Sequence, residues 1–283
     1  MNQIKTVVLL ALLSALLISI SYWVIGGTWG AVIGVALAAA TNLGSWFYSD
    51  RIALSAYNAQ PVSYEQAPGL HNMVQQLCDR GNLPMPGIYI IPTQSANAFA
   101  TGRDPQHAAV AVTEGILQLL PEDELEGVIA HELTHIKNRD TLTQAVAATV
   151  GGAISALANF ATYAMWFRGS GSDRGANPIG LLLTAILAPI AATVIQLAIS
   201  RTREFSADAG AAKLTGNPRG LAQALQRLDS NARQLPMGTN PAFEPLLIMH
   251  GFSGQMMSNL FSTHPSTEAR IQALLKLEQQ MSV

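Results

Sequence analysis

The sequence predicts an α+β protein that is mainly helical, with four apolar helices in two hairpins and a polar domain that contains a small sheet. Two observations lead to this fold class. Only 12% of the 283 residues are charged and mean hydropathy is +0.25, so apolar residues exceed what one buried core requires. The surplus lies in charge-free blocks that alternate with polar segments showing helix and strand patterns. The chain therefore divides into residues 1–50, 51–140, 141–200 and 201–283.

The overall charge and the cysteine count argue against two further kinds of protein. The formal net charge is −2 and no run of basic residues occurs, which argues against a nucleic-acid partner. Cys78 is the only cysteine, so neither an intrachain disulfide nor a cage of thiolate metal ligands can form. A reducing compartment is compatible with this composition.

The first apolar hairpin occupies the interval between Lys5 and Asp50, which contains no charged residue. Two stretches, about 6–25 and 30–48, each approach the ~20 residues that a helix needs to span a bilayer. A cleaved signal peptide is the alternative, but bulky Tyr22-Trp23-Val24 stands where small cleavage-site residues belong. Interfacial aromatics lie near the stretch ends, as expected in a membrane: Trp23, Trp29, Trp46, Phe47 and Tyr48.

The second apolar hairpin is predicted from two more charge-free stretches, Thr141–Phe167 and Gly175–Ser200. Both are long enough to cross a bilayer. Their alanine and threonine content also fits a pair of buried helices in a soluble core, and this alternative stays open. With two hairpins, both termini and both polar segments lie on one side of the membrane. Lys5 favours the cytoplasm for that side, although Arg168 and Arg174 in the opposite loop weakly favour the reverse.

The two polar segments predict the parts of one split α/β domain. In the first, residues 66–80 have the spacing of an amphipathic helix, and residues 87–92, 97–101 and 108–113 read as strands. A helix begins near Pro121, with three acidic residues in its first turn. The second segment predicts a helix through Ala212, another over residues 218–229 and a closing helix over 265–280. Neither segment can close a core alone, so we expect them to pack together.

The strongest chemical signal is the sequence His131-Glu132-Leu133-Thr134-His135. On a helix, positions i and i+4 share one face, so both imidazoles can bind one ion. Glu132 stands beside them, where its carboxylate can take a proton from water without binding the metal. Three protein ligands and an open position are typical of catalytic zinc, which acidifies water and polarises a carbonyl group.

The third ligand has four candidates in the sequence. Glu204 and Asp208 lie four residues apart on one helical face, and such a pair suits one ligand and one carboxylate that orients a ligating histidine. The alternative for these two acids is a surface ion-pair cluster with neighbouring arginines. His250 and His264 are the remaining candidates.

The motifs together resemble those of the HtpX-type membrane zinc metallopeptidases, which are related to the CAAX prenyl endopeptidases. Besides the histidine motif, the likeness rests on Ser200-Arg201-Thr202-Arg203-Glu204-Phe205-Ser206-Ala207-Asp208, Asn97-Ala98-Phe99-Ala100-Thr101-Gly102, Thr263-His264-Pro265 and Arg270-Ile271. It also includes the order of two apolar hairpins around a split zincin-like catalytic domain, so it spans nearly the whole chain.

The resemblance implies a role for each motif. His131, His135 and Glu204 would bind one zinc ion, and Glu132 would be the general base. Asp208 would orient a ligating histidine, and His264 would lie near the site, where it could stabilise an oxyanion or serve only packing. Arg270 is interpreted as structural. A substrate backbone would pair along an edge strand made of Asn97, Ala98, Phe99, Ala100 and Thr101.

The resemblance further implies an enzyme of the bacterial inner membrane, with its catalytic domain facing the cytoplasm. It would cut unfolded or damaged membrane proteins in quality control and stress response. An intramembrane protease is disfavoured, because charged residues at 122–126 and 137–140 flank the motif. A prenyl-protein protease and a non-catalytic scaffold stabilised by zinc are further alternatives. Glu132 discriminates against the scaffold, since a purely structural metal site does not need it. The sequence does not indicate an oligomeric state.

Overall fold

The computed structural model describes residues 2–25, 27–151, 201–237, 243, 246–249 and 265–281. Two long antiparallel helices, α1 (Asn2–Ile25) and α2 (Gly27–Ala56), form the first hairpin. Small residues on α2 let the two backbones approach closely: a Cβ at Gly30 or Gly34 would overlap the backbone of α1. Asn42 Nδ2 also donates to Ser14 Oγ across the pair at 2.9 Å.

The outer surface of this hairpin is apolar and exposed, with side chains such as Trp29, Val32 and Leu43 more than half accessible. Among the described residues, one helix, Gly27–Ala56, is long and apolar enough to cross a membrane by length and composition. The prediction of four apolar helices is therefore supported for α2 alone. Most of the predicted second hairpin, from residue 152 to residue 200, lies outside the described residues.

Four short strands form one mixed sheet, in which β3 is an edge. β1 (Gln60–Pro61), β2 (Gly87–Ile91), β3 (Ala98–Gly102) and β4 (Ala108–Thr113) have the order β1-β2-β4-β3. β2 and β4 are parallel, whereas β3 returns antiparallel to β4. The β3–β4 connection contains a 3-10 turn, Pro105–His107. His107 N donates to the backbone oxygen of Asp104 and also to its side-chain Oδ1.

The helices of the two polar segments pack around the sheet. The first segment contributes α3 (Pro68–Gly81), α4 (Glu114–Leu119) and α5 (Glu122–Lys137), and residues 141–151 continue as a helix, α6. The second contributes α7 (Arg201–Thr215), α8 (Pro218–Gln234) and α9 (Thr267–Met281). Helix α4 was not predicted. The bounds of the other helices lie within a few residues of the predicted ones, except that α8 continues five residues past residue 229.

Helix α5 is the centre of the domain, because it is buried on nearly all sides. Val128, Ile129 and Leu133 have no exposed surface, and they join a core that includes Leu77, Val110 and Leu225 from α3, β4 and α8. Polar contacts reinforce the packing: Arg227 Nε on α8 donates to Glu124 on α5 at 2.8 Å. The two polar segments therefore share one core.

The apolar hairpin enters the domain instead of ending before it. α2 continues six residues beyond the predicted boundary at residue 50, and its last turns place Ala53 and Leu54 in a cluster with Phe99 of β3 and Ala148 of α6. Thr6 Oγ1 and Thr143 Oγ1 form a buried hydrogen bond of 3.0 Å between α1 and α6. The amino-terminal end of α1 and the catalytic-domain end of α6 thus lie on the same side of the hairpin.

The crossing of α5 and α7 depends on Gly210, since a Cβ there would overlap the side chain of Thr134. We expect Gly210→Ala to destabilise the domain by about 1–3 kcal/mol through overpacking, seen as a lower thermal unfolding midpoint in detergent. Gly69→Ala is the matched control, because a Cβ at that helical glycine has nothing within 4 Å. Equal midpoints for the two variants would show that the helices can separate at no cost.

Candidate functional site

Two histidines face each other on α5. The helix begins after Pro121, which is its N-cap residue, and its first turn contains the acidic residues Glu122, Asp123 and Glu124. His131 and His135 are separated by one helical turn, with ring centroids 4.7 Å apart and planes at 88°. Both are buried, His131 completely. The Nε2 atoms approach to 3.1 Å.

Glu204 reaches the same point from α7. Its Oε2 lies 3.6 Å from His131 Nε2, and its Oε1 lies 3.7 Å from His135 Nε2. With metal–ligand bonds of about 2.0–2.1 Å, tetrahedral ligands stand about 3.4 Å apart. The three observed separations, 3.1, 3.6 and 3.7 Å, bracket this value. His131, His135 and Glu204 are thus spaced to hold one ion.

The other nitrogen of each histidine faces a carboxylate. His131 Nδ1 lies 2.9 Å from Asp208 Oδ1, and His135 Nδ1 lies 3.1 Å from Asp140 Oδ2. Each Nδ1–H can donate to its carboxylate, which leaves both Nε2 lone pairs directed at one point. Two lone pairs 3.1 Å apart repel each other unless a cation lies between them. The donor set therefore fits a metal ion.

Asp140 is a residue that the sequence analysis missed. After α5 the chain turns back through Arg139, which has a left-handed φ of 57°, and Asp140 N donates to His135 O at 3.0 Å. This turn returns the Asp140 carboxylate to the histidine five residues earlier. The sequence does contain a signal for Asp140: it is an acidic residue that follows directly after a helix whose last turn contains a candidate metal ligand.

Arg270 of α9 also lies at the site. Interpreted from the sequence as structural, it is buried and binds Asp208 through two hydrogen bonds, Nε to Oδ2 at 2.9 Å and Nη2 to Oδ1 at 2.6 Å. Its Nη1 also lies 3.7 Å from Glu204 Oε2. Arg270 thus holds the carboxylate that faces His131, and Asp208 touches a cation as well as a histidine.

The electrostatics follow from burial and these pairings. Burial by itself lowers the pKa of His131, but hydrogen bonds to Asp208 and Glu204 outweigh it and raise the pKa to about 9. Burial raises the pKa of Glu204, but the hydrogen bond from His131 and the charges of His135 and Arg270 bring it well below its ordinary value. The pKa of Asp208 is lowered in the same way, mainly by Arg270.

Glu132 has a different environment from the three candidate ligands. It is 2% exposed, and burial raises its pKa against the opposing charges of His131 and His135. The backbone amide of Ala100 on β3 hydrogen-bonds the carboxylate. Glu132 is therefore held between the ligand cluster and the edge strand.

Arg203 is a buried cation beside the site. None of its three guanidinium nitrogens has a hydrogen-bond partner. Burial lowers its pKa, while the charges of Asp140 and Glu204 oppose that shift. Its role here is electrostatic, because it places a positive charge near two of the carboxylates.

The structure brings most of the predicted site residues together. Asn97 and the strand Ala98–Gly102 lie at the sheet edge beside α5, one residue later than the predicted strand. Every residue of β3 is buried. His264 and His250 lie outside the described residues.

A helix that carries two such histidines, with a third donor on a second helix and a free carboxylate at their side, is the arrangement of the metallopeptidases. Residues 65–278 match the family model of Peptidase family M48. The chain belongs to this family.

Relatives of high identity agree with this assignment. A "Protease HtpX homolog" of Trichormus variabilis is 71% identical, covering 99% of this chain and 98% of its own length. A "Protease HtpX homolog" of Pyrococcus furiosus is 50% identical, with coverage of 99% and 97%. The chain is therefore a membrane metallopeptidase of the HtpX type. Among solved structures, the Ste24p of S. mikatae aligns over 85% of this chain and 57% of its own, at 21% identity and a TM-score of 0.49.

We expect Asp140→Asn to lower metal affinity about 10- to 100-fold, because the amide no longer attracts the proton on His135 Nδ1. Competition with a chromophoric chelator measures this. Asp79→Asn is the control, since Asp79 lies on α3 and its carboxylate accepts only from Gln75 in an exposed position. Equal affinities for the two variants would contradict the orienting role.

We also expect metal binding to release a proton from His131 at neutral pH. The pKa of about 9 means that the metal-free histidine is protonated there, and a metal must displace that proton. Because the pKa is raised, apparent affinity should rise with pH until about pH 9. Titration calorimetry in two buffers of different ionisation enthalpy counts the protons. If the wild type releases no proton when it binds the metal, then His131 is already neutral in the metal-free protein.

Proposed function

We propose that the chain is a zinc-dependent endopeptidase that cuts unfolded or damaged membrane proteins. The observation that carries the proposal is the spacing of three buried donor atoms for one tetrahedral ion, with Glu132 beside them. Two imidazoles and one carboxylate form a donor set that zinc accepts readily. The sequence contains a single cysteine, Cys78, which is buried on α3.

In this proposal the zinc site activates the substrate and water, and Glu132 transfers the proton. A zinc ion in this site would polarise a peptide carbonyl and lower the pKa of water. Glu132 accepts the proton of the attacking water and delivers it to the amine that leaves. Its raised pKa suits this role, because a base works best when its pKa lies near the working pH. The Ala100 amide and the histidine charges oppose the effect of burial and keep the carboxylate directed at the reacting groups.

Asp208, Asp140 and Arg270 hold the two histidines instead of reacting. The Asp208 carboxylate, fixed by two bonds from Arg270, sets the orientation of the His131 ring. Asp140 does the same for His135. A ligand fixed on its second nitrogen binds its metal more tightly and in one geometry.

The edge strand supports the choice of a polypeptide substrate. An extended segment that adds to a sheet edge is recognised through its backbone, so its side chains matter little. That recognition suits unfolded segments of many sequences. The strand is buried in the described structure, so pairing requires the segments packed on this edge to move apart.

The setting that we propose is the bacterial inner membrane, with the catalytic domain in the cytoplasm. Lys5 and the position of the domain on the amino-terminal side of the hairpin support this orientation. His264 remains a proposed contributor close to the site. A role in quality control and stress response completes the proposal.

A metal site that serves only the fold is the competing function. Glu132 is the feature against it, because a structural site needs no further carboxylate beside its three ligands and burying one costs free energy. The same carboxylate is required when water is the nucleophile.

We expect Glu132→Gln to abolish cleavage of an unfolded protein while zinc stays bound. The amide keeps the size of the side chain but cannot accept a proton, so the rate should fall by at least about 100-fold. Purified protein in detergent with added zinc is assayed on casein, and bound zinc is measured by elemental analysis. His71→Gln is the control, since His71 lies on α3, where its ring contacts the Val62 carbonyl and Tyr64 and none of the residues of the histidine cluster. If Glu132→Gln and wild type cleave equally, Glu132 is not the base.

A further inference from the structure

The outward edge of β3 is covered at one end. Thr113 N donates to Asn97 O, so Asn97, Phe99 and Thr101 direct their backbone groups at β4, while Ala98, Ala100 and Gly102 direct theirs outward. Ile248 N donates to Ala98 O at 3.0 Å. A partner strand therefore cannot use Ala98 while Ile248 remains in place.

The Asn97 side chain strengthens this cover. Its Nδ2 donates to Met249 O at 2.8 Å, and its Oδ1 accepts from Met249 N at 3.2 Å. The amide thus pairs with the backbone of Met249 as a strand residue would. Leu246 and Leu247, just before, are buried against Phe99. The pairing surface left for a substrate begins at Ala100, whose amide already meets Glu132.

The other end of the edge meets the membrane elements. Gly102 O accepts from Thr141 Oγ1 at 2.9 Å, and Thr141 is the first residue of α6. Arg103 follows, with its guanidinium carbon 5.5 Å from the centre of the Phe47 ring on α2. Phe47 belongs to the exposed aromatic group Trp46, Phe47 and Tyr48, the kind of group that marks a membrane surface.

The distance from this aromatic group to the site is short. From Tyr48 to Ala53, which packs with Phe99, α2 rises about 7.5 Å. From Ala100 to Arg103 an extended chain covers about 10 Å. Both estimates place the segment from Ala100 to Gly102 within about 10 Å of the level of these aromatic rings, a span of roughly three extended residues.

We propose that the enzyme cuts membrane-anchored polypeptides close to the bilayer, at bonds within about ten residues of the end of their membrane span. This inference rests on the proposed peptidase function and specifies its substrate. An extended substrate that takes the place of Thr141 at the Gly102 carbonyl, while Ile248 still covers Ala98, leaves the site past Gly102, towards the membrane surface. A membrane-anchored chain continues there into its own span, whereas a distant segment must pass through the headgroups and return.

The test uses the full-length protein in proteoliposomes with zinc. The reporter has one apolar span, then a linker of 40 residues, roughly 130 Å when extended, made of one repeated unfolded sequence, and then a folded domain. Because the linker repeats, local sequence cannot favour one site. Mass spectrometry of the products maps the cuts. A second reporter carries a folded domain between the span and the linker, and casein measures general activity.

The expected result is that cuts fall within the first ten or so linker residues, and that the inserted domain lowers the rate at least about tenfold. Cuts spread evenly along the linker, or an equal rate for the second reporter, would overturn the inference and leave the peptidase function intact. Failure to cut casein as well as both reporters would overturn the peptidase function, and this inference with it.

Discussion

The structure depends on the pairing of four buried carboxylates around two histidines. Glu132, Asp140, Glu204 and Asp208 are each 5% exposed or less, and a buried ionised group without compensation costs several kcal/mol. Two guanidinium groups, those of Arg203 and Arg270, lie among them. Two negative charges remain, which equals the charge of one divalent cation. The site is therefore balanced when it holds its metal, and metal binding contributes to the stability of the fold.

The site draws its residues from both parts of the divided domain. The histidines and Asp140 belong to the first polar segment, whereas Glu204, Asp208 and both arginines belong to the second. Some pairs form within one segment, such as Asp208 with Arg270, but the three donors that face one point come from both. The close crossing of α5 and α7, which Gly210 permits, brings the two sets within contact distance. Charge pairing and helix packing thus select the same arrangement of the two segments.

The sequence predicts what is locally encoded. The bounds of α3, α5 and β4, and the shared face of His131 and His135, follow from periodicity and capping over a few residues. Contacts between distant residues were not predictable: the Arg270–Asp208 pair spans 62 residues and the Asn97–Met249 pair spans 152. Asp140 is only five residues from His135, but their contact depends on a left-handed backbone conformation at Arg139. An arginine in the sequence does not predict that conformation.

The apolar hairpin is part of the catalytic unit and not only its anchor. Charges at Asp50 and Arg51 suggested that the hairpin ends there, yet α2 continues because Ala53 and Leu54 are needed to cover Phe99. Phe99 lies on the strand whose next residue bonds Glu132. Contacts of β3 with α2 and of Gly102 with Thr141 therefore fix the edge strand relative to α2 and α6. The position of Glu132 is set by the same packing that joins the domain to the apolar hairpin.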